Sequence, residues 1–259
     1  MPAVHVTSSV AGRVLRIAMA RPEKKNALTG AMYLALAAAI AAGEADPAVR
    51  VLLLHGAPDV FTAGNDIEDF LRDARKSIGP DTPAVQFIRA LSGATKPVVA
   101  AVQGAAVGIG TTLLMHCELV YCAEDASFIM PFVSLGLCSE FASALTMTLA
   151  AGYHKAAEKL LLAEPISAAE ALEMRIVNRV LPGGQVLAFA QRQADRLAAL
   201  PPNSVRETKR LMKQAWRAQL DAALRDDLGT VARLLGSPEA TEAFQAFLQK
   251  RTPDFSQFD

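Results

Sequence analysis

Two short stretches of this sequence have the residue types that ester or thioester chemistry needs. Phe61-Thr62-Ala63-Gly64-Asn65-Asp66 follows an apolar run and leads into a helical pattern, and Gly104-Ala105-Ala106-Val107-Gly108-Ile109-Gly110 does the same further along. A turn from strand into helix leaves the first helical N–H groups without intrahelical partners. Small side chains let a ligand approach that backbone closely. Two such turns side by side can aim two N–H donors at one carbonyl oxygen, which is an oxyanion hole. The same glycines also serve tight turns and close packing, and spacing alone leaves both readings open.

Other chemistries have no such footing. There is no GxSxG nucleophile turn and no GxxxxGK[ST] phosphate loop. Gly108-Ile109-Gly110 is placed as a dinucleotide loop would be, but Leu113 stands where the third glycine belongs. Cys117, Cys122 and Cys138 include no CxxC pair, and the scattered His5, His55, His116 and His154 form no HExxH. A disulfide framework and a zinc site are therefore not expected, and a reducing, cytoplasmic setting fits best. Lys plus Arg and Asp plus Glu both number 26, so the chain lacks the basic excess of a nucleic-acid binder. Zero net charge permits self-association. The longest apolar stretch, Ala31 to Ala42, is too short to span a bilayer, and residues 1–6 do not read as a secretory leader. Neither membrane nor nucleic acid is expected as a partner.

The elements that must position the two turns follow from periodicity. Val4–Val10 and Arg13–Met19 alternate around Gly12 and predict an antiparallel pair. Arg50–His55, Pro97–Val102 and Leu119–Ala123 read as buried strands, with Ile176–Leu181 as a further one. Between them, Thr29 caps a helix through Ala42 that ends at Gly43, and Asp66 caps Ile67–Lys76. Val85–Leu91, Thr111–His116 and Phe141–Ala151 are helical, and Ser167 caps Ala168–Arg175. Stretches 58–65 and 103–110 are read as loops. From Gly183 onward the pattern is helical, interrupted by Pro201-Pro202 and Ser237-Pro238. Strands alternating with helices, followed by helices alone, predict an α/β fold with an all-α C-terminal region, divided into residues 1–200 and 201–259.

Four segments in order carry a resemblance to a known family. They are Arg21-Pro22 to Asn26-Ala27-Leu28; Phe61 to Ile67; Lys96-Pro97-Val98-Val99-Ala100 through Gly110; and Ser167-Ala168-Ala169-Glu170-Ala171 to Val180. Together they resemble the crotonase, or enoyl-CoA hydratase/isomerase, superfamily. The resemblance implies a ββα spiral core with a C-terminal helical trimerisation region. It also implies an acyl-CoA thioester as substrate, no cofactor beyond the coenzyme A of that substrate, and a homotrimer or hexamer. The family's oxyanion donors fall on the backbone N–H groups of Asn65 and Ile109, the latter at a position usually held by glycine. Ala63, Gly64, Asp66, Ile67, Lys25, Ala27 and Phe132 fall on the substrate-binding positions. Lys209 and Lys213, four apart on a tail helix, are either a solvated face or a contact for the coenzyme A phosphate.

Hydratases of this family use two glutamates, and this sequence has Thr112 and Phe132 at those positions. Leu135-Gly136-Leu137-Cys138-Ser139-Glu140 instead resembles the single-glutamate stretch of the Δ3,Δ2-enoyl-CoA isomerase branch. The resemblance thus implies Glu140 as catalytic. A helix-capping role before Phe141 is the structural alternative. An acyl-CoA isomerase is the leading expectation, with a crotonase-type hydratase or hydrolase, or a non-catalytic acyl-CoA-binding trimer, as alternatives.

Overall fold

Runs such as Val51-Leu52-Leu53-Leu54 and Val98-Val99-Ala100-Ala101-Val102 are buried at every position, the pattern of strands covered on both faces. In the computed structural model, which describes residues 5–74, 79 and 81–258, they belong to ten strands. These are β1 (Val6–Ala11), β2 (Val14–Met19), β3 (Val51–His55), β4 (Val60–Thr62), β5 (Val98–Val102), β6 (Ala105–Val107), β7 (Leu119–Ala123), β8 (Ser127–Ile129), β9 (Ile166–Ser167) and β10 (Arg179–Leu181). The described α-helices are α1 (Gly30–Ala45), α2 (Ile67–Ala74), α3 (Pro83–Ser92), α4 (Ile109–Thr112), α5 (Ser143–Ala151), α6 (Tyr153–Leu162), α7 (Ala168–Glu173), α8 (Val186–Ala199), α9 (Pro202–Gln214), α10 (Arg217–Leu235) and α11 (Pro238–Gln249). Val4 and Lys76, the expected ends of the first strand and the second helix, lie outside the described residues.

The strands form a six-stranded sheet ordered β1-β2-β3-β5-β7-β10 and a four-stranded sheet ordered β4-β6-β8-β9. From β3 to β8 the chain visits the two sheets alternately. Each strand lies parallel to the one laid down a turn earlier: β3, β5 and β7 in the first sheet, β4, β6 and β8 in the second. Helices follow each pair of strands. This is the expected α/β ββα spiral, with the helical C-terminal region α9–α11 after it. No described helix is long and apolar enough to cross a membrane.

Several expectations need correction. The stretches read as loops contain β4 and β6. Val60-Phe61-Thr62 is buried throughout and only three residues long, so it shows no alternation. Helix α1 does not stop at Gly43. A Cβ there would lie 2.6 Å from Leu52 Cδ2, so the glycine lets the helix pack close to the sheet rather than ending it. Helix α7 ends before Arg175, whose φ of 59° is left-handed. The N–H groups of Ile176 and Val177 bond back to Ala171 instead of joining β10. Helix α5 begins at Ser143, because Phe141 and Ala142 are left-handed (φ 59° and 55°). Lys209 and Lys213 are not a solvated face. Both reach Glu118 at 2.9 Å, and the buried Lys209 also donates to the Lys96 carbonyl. Glu118 in turn accepts the Val98 N–H, so the pair ties α9 to the start of β5.

Candidate active site

The two glycine-bearing turns meet because β4 and β6 are paired. Gly64 has φ of 83°, and a Cβ there would lie 2.7 Å from the Val107 carbonyl oxygen. A Cβ on Gly110 would run into the Thr62 methyl. Glycine is needed at both places for this close approach. Leu28 donates to the Gly64 carbonyl (2.7 Å) and accepts from the Asp66 N–H (2.9 Å). Both bonds go to the neighbours of Asn65, so the N–H of Asn65 faces the opposite side. Ile109 is the first residue of α4, where the N–H has no intrahelical acceptor. Among the described residues neither N–H has a protein partner, and both residues line one cavity of about 490 Å³.

The Arg21–Leu28 segment braces this arrangement. Lys25 accepts from the Ala63 N–H (2.9 Å), and Thr62 Oγ1 donates to the Asn26 carbonyl (2.7 Å). Arg21 donates to the Ala27 carbonyl and to Asp66 Oδ2, at 2.9 and 2.8 Å. Tyr33 lines the cavity and donates to Asn65 Oδ1. Of the predicted site residues, Asn65, Ile109, Phe132 and Glu140 line the cavity. Ala63, Gly64, Asp66, Ile67, Lys25 and Ala27 lie outside its lining, with Asp66 engaged by Arg21 and Lys25 exposed.

Glu140 faces the same cavity, whose lining also includes the apolar Leu137 and Phe141. Thr112 Oγ1 donates to its Oε1 at 2.8 Å. Burial pushes its pKa up to about 7, against the Thr112 bond, which favours the ionised form; the charge of Asp227 adds to the rise. The carboxyl group can therefore both take and return a proton near neutral pH. It does not cap α5, whose N-cap is Ala142.

Glu140 is presented by an uncommon backbone. Consecutive left-handed non-glycine residues, Phe141 and Ala142, cost about 1–2 kcal/mol each, so the surroundings must hold them. Two groups do. His116 bonds the Phe141 carbonyl through Nε2 at 2.8 Å and stacks on the Phe141 ring at 4.0 Å. Burial pushes this imidazole down to about 4, so it is neutral and donates from Nε2. From α10, Asp227 Oδ2 accepts the Ala142 N–H at 2.6 Å. Its own pKa is pushed up to about 6, mainly by burial. Cys138 also lines the cavity, but burial raises its thiol pKa and keeps it protonated.

Sequence reasoning gave no role to Tyr33, Thr112, His116 or Asp227. Thr112 left one trace: a hydroxyl residue stands where the hydratase pattern puts a carboxylate. The other three leave no local signal, because their partners lie far along the chain.

A family model described as enoyl-CoA hydratase/isomerase matches residues 9–258. The chain is 30% identical to the 2,3-dehydroadipyl-CoA hydratase of Escherichia coli (strain K12), over 94% of this chain and 95% of that protein. It is 32% identical to enoyl-CoA delta isomerase 2 of Rattus norvegicus, over 96% of this chain and 64% of the rat protein. The crystal structure of an enoyl-CoA hydratase/isomerase from Pseudoalteromonas atlantica T6c superposes with a TM-score of 0.91 at 36% identity, covering 97% of this chain and 99% of that one.

Proposed function

The chain belongs to the enoyl-CoA hydratase/isomerase family, and from that premise we propose that it moves the double bond of a 3-enoyl-CoA to the 2-position, with Glu140 carrying the proton. The observation that carries this reading is the Glu140 carboxyl group, poised near neutral pKa in the same cavity as the N–H groups of Asn65 and Ile109, which have no partner among the described residues. The thioester oxygen would sit on those two N–H groups, which stabilise the negative charge that builds on it. Glu140 then takes a C2 proton, giving a dienolate, and returns a proton at C4. Mass is conserved. Thr112 and Phe132, at the two positions where hydratases carry glutamates, support isomerisation: Phe132 lines the cavity, and Thr112 serves as a hydrogen-bond donor to Glu140.

Hydration is the second reading, favoured by one observation: Asp227 adds another carboxyl group to the cavity lining. One experiment separates them. The protein is incubated with 3-hexenoyl-CoA in deuterated water, beside Glu140→Ala, and product mass and double-bond position are followed. Isomerisation gives 2-hexenoyl-CoA with the wild type alone, and any deuterium it carries from solvent lies at C4. A product heavier by one water supports hydration, and wild-type turnover by Glu140→Ala refutes the role of Glu140.

A further inference from the structure

We propose that Asp227, on C-terminal helix α10, is a positioning residue that latches the strained turn presenting Glu140. The proposal rests on the reading of Glu140 as the proton carrier. Three observations converge on it. Phe141 and Ala142 hold left-handed conformations that neither side chain favours, immediately after Glu140. The Ala142 N–H has its acceptor not within the turn but on a helix 85 residues later, in Asp227 Oδ2. Asp227 also lines the cavity into which the glutamate faces.

The turn is thus held at two points. His116 fixes the Phe141 carbonyl from below, and Asp227 fixes the Ala142 N–H from the C-terminal region. Release of the second point would let the backbone relax toward the right-handed conformation and swing the Glu140 carboxyl group away from the thioester. Misplacement of a reacting group by about 1 Å can cost on the order of 100-fold in rate. In this account the helical C-terminal region does more than cover the cavity. It completes the catalytic geometry, and undocking α10 would switch the glutamate off.

Asp227 has two separable properties, an acceptor oxygen and a charge. Asp227→Asn keeps an acceptor for the Ala142 N–H and removes the charge. Asp227→Ala removes both. The charge acts on Glu140 within a defined set of neighbours. Thr112, Tyr33, Cys138 and Asp227 face the glutamate. Asp226 acts on Asp227, Asp227 and Arg233 act on Cys138, and Arg217, Arg225, Asp69, Asp221 and Arg89 line the remainder of the cavity. Removing a negative neighbour from this set lowers the Glu140 pKa, so the rising limb of the pH–rate profile moves to lower pH.

The test is conversion of 3-hexenoyl-CoA to 2-hexenoyl-CoA by the full-length wild type, Asp227→Asn, Asp227→Ala and Glu140→Gln, each followed across pH. Melting temperatures are recorded alongside. Asp227→Ala is expected to lose at least about tenfold in kcat with KM changed less than about threefold. Asp227→Asn is expected to keep kcat within about threefold and to move the limb, near pH 7 in the wild type, downward. Wild-type kcat in Asp227→Ala overturns the latch. So does a loss in Asp227→Asn as deep as that in Asp227→Ala, which would make Asp227 itself an acid or base. If Asp227→Ala fails to fold, the Asn variant decides alone: an unmoved limb or a collapsed kcat overturns the proposal. Wild-type turnover by Glu140→Gln would instead refute the glutamate's role, and the latch would fall with it.

Discussion

Replacing Thr112 with valine removes one hydroxyl from a buried position and leaves the shape of the side chain nearly intact. The hydroxyl donates to Glu140 Oε1 at 2.8 Å and favours the ionised carboxylate. A hydrogen bond to a charged group is worth about 1.5–3 kcal/mol, and one pKa unit corresponds to about 1.4 kcal/mol. Losing the bond should therefore raise the Glu140 pKa by about one to two units, from about 7 to roughly 8–9. A base must be ionised to act, so the rising limb of kcat/KM moves to higher pH. At pH 7 the ionised fraction drops from about one half to roughly 1–9%, a loss of roughly 5- to 50-fold. At high pH the rate recovers toward wild type, which the loss of the carboxylate itself would never allow. Initial rates of 2-hexenoyl-CoA formation from 3-hexenoyl-CoA, measured from pH 5.5 to 9.5 (about four units, enough to span both limbs), give the two profiles directly. A limb that stays put, or an equal loss at every pH, would refute the claim that Thr112 tunes the glutamate. The second outcome would mean that it only holds geometry.

Two further predictions follow from the same geometry. The folded-state pKa of Glu140 lies above its ordinary value, 4.5 against about 7. The stability this group contributes is full below pH 4.5 and is lost as pH rises through 7, by about 3 kcal/mol in all. Glu140→Gln, which cannot ionise, should match the wild type in denaturant unfolding at pH 5 and exceed it at pH 8; a gap that does not widen with pH would contradict the burial argument. Gly64→Ala should force apart the two turns that bear the Asn65 and Ile109 N–H groups, because φ is 83° and the Val107 carbonyl oxygen stands 2.7 Å from the new methyl. Loss of one oxyanion donor costs about 100- to 1,000-fold in kcat, and steady-state kinetics showing less than a tenfold loss in a folded variant would exclude joint action by the two N–H groups.

What could be read from the sequence was what local chemistry demands. The Gly64 and Gly110 turns were legible because only glycine lets β4 and β6 approach as they do, and the β3, β5 and β7 strands because strands buried on both faces are apolar throughout. Glu140 was legible through the run that carries it, not through any property of the residue. The residues that tune and hold it were not. Asp227 is one acid among several on a polar helix, and its partner is a main-chain N–H 85 residues away that no side-chain pattern records. Phe141-Ala142 carries no glycine or asparagine to announce a left-handed turn, so it reads as the start of a helix. A sequence expresses such strain only through the contacts that offset it, here His116 below and Asp227 above. The same logic explains the error over Lys209 and Lys213. Four-residue spacing on a helix describes a solvated face equally well as a pair closing on one carboxylate, and Glu118, whose position is set by the β5 strand it caps, decides between them. Where a residue's partner is its neighbour, type and spacing identify the role; where the partner arrives from another turn of the spiral, only the packed structure does.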